Sequence, residues 1–226
     1  MTHPIPTSLV IDCRPLAQFF RAHTHGAVPI PFHPQCYGGL VSTILAQDNP
    51  WAQAQLLAAH HPPEVFISPS DQQLPSTRTL GLSAPNPLIY ARAAEELEAW
   101  GFLAEPMTMT SETRWERLPQ VSVDEIQRHR EQYLIIDVRE PFEWRSGQIP
   151  QVLSCPLSSL ATRCGDFVIQ AQSKGQSVAI VCATGRRSGL ATWTGRRLGW
   201  DALLNVTGGM LRWFFSGYPT TIPSVS

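Results

Sequence analysis

The stretch "LIIDVRE" at residues 134–140 decides the fold, because the chain has already used the same pattern as "LVIDCRP" at residues 9–15. Asp12 and Asp137 stand 125 residues apart. Downstream, "AVPIPF" (27–32) meets "VLSCPL" (152–157), and the step from Pro31 to Pro156 is again 125. An offset that recurs marks an internal repeat. A third correspondence sets the apolar run Val65, Phe66, Ile67, Ser68 beside Val178, Ala179, Ile180, Val181, Cys182, with the offset shifted to 114 by a longer connection in the first half. A fourth pairs two predicted helices, 89–100 stopping at Gly101 and 188–198 stopping at Gly199, each closed by the residue that best ends a helix.

Each half therefore reads strand, loop, strand, crossover, strand, loop, helix. Short apolar strands without polar alternation are buried on both faces, the pattern of parallel α/β units. The predicted fold class is α/β, with two units, each a parallel sheet flanked by helices, in domains spanning 1–112 and 118–226. The polar stretch "EPMTMTSETRWERLPQ" (105–120) lacks apolar periodicity and is expected to hold the join. Ser122, with Glu125 three residues on, is a predicted helix N-cap opening the second unit.

Composition bounds the function. Of the 226 residues, 43% are apolar and 15% charged, as in a soluble globular protein, and the formal net charge of −1 gives no general attraction to nucleic acid or membrane. No run reaches a membrane span, and the first residues lack the charged start and apolar stretch of a signal peptide, so a cytoplasmic location is expected. The five cysteines, Cys13, Cys36, Cys155, Cys164 and Cys182, form an odd set with no CxxC spacing. That argues against a disulfide framework and a zinc site, and predicts free thiols. No cofactor or metal is expected. His23, His25, His33 and Cys36 could be grouped as a metal cluster, as could His60 with His61, but their spacing is irregular.

The chemistry concentrates in "VAIVCATGRRSG" (178–189). In a parallel α/β sheet, ligands collect beyond the carboxyl ends of the strands, and Cys182 falls at such an end with a helix following within a few residues. Backbone amides of Ala183, Thr184, Gly185, Arg186, Arg187 and Ser188, curled toward the sulfur, would stabilise a thiolate together with the positive end of that helix. Gly185 permits the curl. Arg186 and Arg187 add positive charge and planar hydrogen-bonding forks for an anionic substrate, with Arg186 expected to be the more solvent-facing. The competing reading is a buried core cysteine beside a solvated basic turn. A tyrosine-phosphatase loop needs Cys-x5-Arg; here the seventh position is Ser188, and Arg187 makes the loop Cys-x4-Arg, one residue tighter.

With that loop, "LIIDVREPFEW" (134–144), "GQIP" (147–150), "VCATGRRSG" (181–189) and "NVTGGMLRWFFSGYP" (205–219), the second half resembles the rhodanese (sulfurtransferase) family along nearly all of residues 119–219. The resemblance implies two rhodanese-like units and a ping-pong reaction. In it the Cys182 thiolate takes the outer sulfur of a small anionic donor such as thiosulfate, and the persulfide passes it to cyanide, a thiol or a protein acceptor. It implies structural support from Asp137 and Arg139 at the strand end, and packing or turn roles for Trp213, Gly208 and Gly209. The family's usual "GHIPGA" is here "GQIPQV", with Gln148 and Gln151 in place of His and Gly, which puts the local turn in question.

The first half resembles a rhodanese unit that has lost its active site. "VIDCR" (10–14) and "HTHGAVPIPF" (23–32) match the opening, with His23 and Gly26 where the second unit departs. Ser68 is expected where the nucleophile would stand, followed by 69–87, too long and proline-rich for an anion loop, and no base stands near it. Cys13, beside Asp12, reads as half-buried structure. A tandem sulfurtransferase is the leading reading, a non-catalytic interaction module of the same fold the second, and a phosphatase or arsenate reductase the third.

Overall fold

The computed structural model describes residues 9–33, 37–47, 49–58, 78–107 and 113–223. Two compact units emerge: Met1–Asp48 with Ala59–Arg117, and Asn49–Ala58 with Leu118–Ser226.

The first unit opens with β1 (Leu9–Asp12), α1 (Leu16–Arg21), β2 (His23–Thr24), β3 (Val28–Pro29) and α2 (Tyr37–Leu45). The next helix, α3 (Pro50–Ala58), belongs to the second unit. The first unit resumes with β4 (Arg78–Ser83), α4 (Pro87–Ala99), β5 (Phe102–Pro106) and β6 (Trp115–Glu116). Its sheet runs β3-β1-β4-β5, with all neighbours parallel, and β2 pairs with β6 in an antiparallel ribbon. Ile11, Phe19, Ile30, Leu80, Leu82 and Leu97 are buried in its core.

The second unit comprises β7 (Gln120–Ser122), α5 (Val123–Arg128), β8 (Tyr133–Asp137), α6 (Pro141–Trp144), β9 (Leu153–Ser154), α7 (Leu160–Arg163), α8 (Gly165–Ser173), β10 (Ser177–Val181), α9 (Arg186–Arg197), β11 (Leu203–Thr207) and α10 (Gly209–Phe215). Its five strands run β7-β11-β10-β8-β9, all parallel. Ser122 caps α5 by accepting the Glu125 amide at 3.1 Å, as its spacing predicts. Because side chains alternate along a strand, Ala179 and Val181 of β10 pack with Met210 and Trp213 of α10, while Val178 and Ile180 are buried on the other face.

The repeat holds at the level of single bonds. Ile11 pairs with Val28 as Ile136 pairs with Leu153, and Asp12 with Pro29 as Asp137 with Ser154, every residue shifted by 125. Arg14 forks onto Asp12 and reaches the Ala22 carbonyl at 2.8 Å; Arg139 forks onto Asp137 and reaches the Gly147 carbonyl at 2.8 Å.

Four expectations change. The strand paired directly with β1 in the described first sheet is β4; the run at 65–68 expected for that place lies, with Ser68, outside the described residues. Residues 78–83 read as loop because Gly81 and the following prolines break the apolar run; Leu80 and Leu82 nevertheless point inward, and Gly81 lets the strand lie close against Val10. The stretch expected to be a plain join contains β6 and the end of β5, since Trp115 and Glu116 find backbone partners in β2. Cys155 and Cys164 form a disulfide instead of two free thiols, because the turn at Leu157–Ser159 and α7 fold the chain back between β9 and α8. Finally, α3 sits in the second unit, where Trp51 meets Trp200 at 5.2 Å between ring centroids. No described helix is long and apolar enough to cross a membrane.

Two stability predictions follow from this architecture. Gln151 holds a left-handed backbone, φ +58°, at the position where its repeat partner is Gly26, φ +79°. A side chain costs about 1–2 kcal/mol there, partly offset by the greater unfolded-state freedom of glycine, so Gln151→Gly should stabilise by about 0.5–1 kcal/mol in urea melts. A chain starting at residue 118 lacks α3, whose Trp51, Ala54 and Leu57 are buried. It should unfold at lower urea than the full chain's second unit, by roughly 3 kcal/mol for the two large side chains removed.

Candidate functional site

The site is built from the carboxyl end of β10. Val181 is the last strand residue, Cys182 follows it, and α9 begins at Arg186, so four residues, Cys182 to Gly185, turn the chain from sheet to helix. Gly185 makes this possible: it caps the helix with φ +98°, the left-handed conformation that glycine adopts freely. In that conformation its amide points back to Cys182 Sγ at 3.2 Å. Ser188, one turn into the helix, brings its hydroxyl within 3.3 Å of the same sulfur and 2.7 Å of Asn205 Oδ1. A hydroxyl carries one proton, so Ser188 divides it between an amide oxygen and a sulfur. Cys182, Ser188 and Asn205 are all buried, while Thr184 lies exposed at the rim of the loop.

A second backbone grips the loop from behind. The amides of Met210 and Leu211, at the start of α10, donate to the carbonyls of Cys182 and Ala183 at 2.8 and 2.9 Å. Gly209 is required for that approach, since an added Cβ would run into both carbonyl oxygens. With two of its carbonyls held by α10, the start of the bend is fixed in place behind the sulfur. The "TGG" segment expected to turn and pack thus also orients the cysteine loop, and Trp213 anchors it by donating Nε1 to the Pro219 carbonyl at 2.9 Å.

The two arginines have separate partners. Arg187 forks onto the Glu143 carboxylate, Nη1 to Oε2 at 2.5 Å and Nη2 to Oε1 at 2.7 Å. Arg186 is half-buried and does not face solvent as expected: its Nη2 donates to the Leu57 carbonyl of α3 at 3.0 Å. Glu143 also accepts the Glu140 amide at 3.0 Å in the capping box of α6. Burial opposes ionisation of Glu143, but the Arg187 fork, the Glu140 amide and the charges of Arg187 and Arg139 together hold its carboxyl below the usual range.

Asp137 and Arg139 sit beneath this layer, buried, as a bidentate pair. Arg139 Nη1 donates to the Glu143 carbonyl at 3.2 Å, joining the buried pair to the helix that carries Glu143. Gln148, where the family's histidine would stand, donates Nε2 to Asp137 Oδ2 at 3.1 Å and to Ser154 Oγ at 2.8 Å. Its amide fills the position without loss of a hydrogen bond to the aspartate.

Of the residues singled out in the sequence, Cys182, Gly185 and Ser188 converge on one sulfur. Ala183 and Thr184 form the bend above it, Arg186 and Arg187 are held to Leu57 and Glu143, and Asp137 and Arg139 lie one layer below. Glu143 and Asn205 were missed. Glu143 lies 44 residues from Arg187, and the local sign of its role was the Glu140–Glu143 capping-box spacing. Nothing near Asn205 announces its bond to Ser188. Cys13 is no counterpart of Cys182: its thiol faces the Ser83 carbonyl at 3.1 Å, and burial, with the charge of Asp12 adding to it, pushes its pKa up to about 12. His23 is buried with Nδ1 2.9 Å from the Phe19 carbonyl, and His25 pairs with Glu116 at 2.7 Å. His33 is described but belongs to no metal-sized cluster among the described residues, and Cys36 and the His60–His61 pair lie outside them.

The site is thus that of a parallel α/β protein with a buried free cysteine at a strand end, cradled by the turn into a helix. The Rhodanese-like domain model matches residues 122–215. A sulfurtransferase of Allochromatium vinosum is 31% identical over 93 residues, covering 41% of this chain and 82% of that protein. A putative sulfur carrier protein of Bacillus subtilis is 29% identical over 99 residues, 42% of this chain and 51% of that protein, so the chain spans about half its length. Among solved structures, a rhodanese-related protein of Thermoplasma volcanium is 25% identical, with 46% of this chain and 99% of that one covered at a TM-score of 0.40. The chain belongs to the rhodanese-like family.

The Glu143–Arg187 pair gives a pH prediction. The folded pKa of Glu143 lies below its unfolded value, so the pair's stabilisation is fully present above about pH 4.3 and is lost as pH falls through the lower, folded value. Glu143→Gln should lower stability at pH 7 by roughly 0.5–1 kcal/mol. Urea midpoints of the two proteins should converge as the pH is lowered from 5 toward 2.

Proposed function

We propose that the chain is a sulfurtransferase that carries sulfane sulfur on Cys182, with a thiosulfate-like donor and a thiol or cyanide as acceptor. The observation that carries this reading is the Cys182 sulfur facing the Gly185 amide at 3.2 Å and the Ser188 hydroxyl at 3.3 Å. Both donors point at the atom that would carry the transferred sulfur. The thiolate attacks the outer sulfur of thiosulfate, a Cys182 Sγ–S bond forms, the S–S bond of the donor breaks, and sulfite leaves with its electron pair. The acceptor thiolate, or cyanide, then attacks the terminal sulfur of the persulfide and restores the Cys182 thiolate. No outside oxidant or reductant is needed.

The near-complete burial of Cys182 favours a small donor, and the loop amides favour an anionic one. Ala183, Thr184, Gly185, Arg186, Arg187 and Ser188 bind it in this reading, with Arg187 oriented by Glu143. Asp137 and Arg139 act as structural support. The domain at 118–226 is the catalytic one, and that at 1–112 is a rhodanese-like domain without a catalytic cysteine. Against a phosphatase stands the Cys-x4-Arg spacing, which puts Ser188 and not an arginine at the seventh position.

Intact-protein mass spectrometry after incubation with thiosulfate is the test. One sulfur should be added and then removed by dithiothreitol. Cys182→Ser should add none, and a sulfur adduct that survives this substitution would place the chemistry elsewhere. In the thiosulfate-to-cyanide assay, Arg187→Ala should lower kcat/KM by about one to two powers of ten, the range for a hydrogen bond to a charged group.

A further inference from the structure

The carboxyl ends of β4 and β5 in the first unit, with Arg14 just beyond β1, surround a cavity of about 690 Å³. That is within the size range of small-molecule sites. The cavity stands where the second unit places its cysteine loop, and its opening follows from particular substitutions. In the second unit the Glu143–Arg187 pair spans the space beside the loop. At the repeat offset Glu143 becomes Gln18, which lines the cavity, and the second position of the following helix, Arg187 in α9, is the exposed Leu88 in α4. No ion pair bridges these two positions, and the space between strand ends and helix remains open.

The loop chemistry has changed as well. Ser83 is followed by Ala84, Pro85, Asn86 and Pro87, where α4 begins. The prolines have no N–H, and Asn86 Oδ1 takes the Ile89 amide at 2.9 Å. The loop therefore offers fewer amides than its counterpart in the second unit, and the Ile89 amide at the helix start is taken by the Asn86 side chain. The Arg14 charge is neutralised by the fork on buried Asp12, while its Nη1 makes no hydrogen bond among the described residues. Burial first, and then the charges of Glu105 and Glu98, raise the pKa of the Tyr90 phenol, which donates to the Ala104 carbonyl at 3.3 Å. The lining mixes polar groups with apolar ones: Leu82, Pro106 and Met107 stand with the Tyr90 ring and an indole, Trp115, that is 47% exposed. Rings, prolines and a thioether offer flat, polarisable contact to another ring.

We infer that this cavity is a binding site for an uncharged, planar aromatic molecule bearing a carbonyl, with the ring against Trp115 and Tyr90 and the carbonyl accepting from Arg14 Nη1 or the Gln18 amide. The site is separate from the sulfur chemistry, so it is tested by binding on the full chain carrying Cys182→Ser. Calorimetric titration with 1-naphthamide should saturate at one equivalent with a Kd below about 1 mM. Trp115→Ala, which keeps the β2–β6 backbone pairing, should weaken binding about tenfold, and Tyr90→Ala should weaken it in the same direction. 1-Naphthoate should bind more weakly than the amide, and thiosulfate should not displace it. Absence of saturable binding, an affinity indifferent to Trp115→Ala, or tighter binding of the naphthoate overturns the inference.

Discussion

The buried fork between Asp137 and Arg139 is the constraint on which the second unit's site is assembled. Two charges with almost no exposure to water are tolerable only if every oxygen and N–H finds a partner, and removing one partner of such a pair costs about 3–5 kcal/mol. Here the partners are spread over the surrounding chain. Arg139 holds the Gly147 and Glu143 carbonyls, Asp137 accepts its own Arg139 amide and the Gln148 side chain, and the Asp137 carbonyl takes the Cys155 amide. The turn after β8, the short helix α6 and the entry to β9 are thereby set in one arrangement. Glu143 inherits its place from that arrangement, and Arg187 from Glu143.

The cysteine loop is fixed between two helix starts that use opposite sides of the same backbone. Gly185 turns an amide onto the sulfur as α9 begins, and the first amides of α10 take the carbonyls of Cys182 and Ala183. The α10 contacts fix the Cys182–Ala183 and Ala183–Thr184 peptides, and Gly185 sets the next one, so the whole bend is held from both sides. The bend and its glycines are thus preorganised by backbone contacts on both sides.

The two units show which parts of this design are scaffold. The Asp–Arg fork, the strand register and the carbonyl contact of the arginine recur at a constant offset. What differs lies at the strand end: Ser83, Ala84, Pro85, Asn86 against Val181, Cys182, Ala183, Thr184, Gly185, and Gln18 against Glu143. At the strand end the loop and its partner differ, while the fork and the register beneath them are kept.

Sequence alone determined the parallel α/β architecture, the repeat, the Cys182 loop, the Ser122 cap and the two long helices. Each rests on residues close together in the chain, whose apolar runs, glycine stops and cap spacings act through local backbone geometry. Only the tertiary structure decided that 78–83 is the strand beside β1, that α3 packs with Trp200, that Cys155 meets Cys164, and that Arg187 answers to Glu143 while Ser188 answers to Asn205. These contacts join residues far apart in the chain or across a folded-back turn, and no local propensity encodes them. They exist because close packing leaves each buried polar group one place to find its partner.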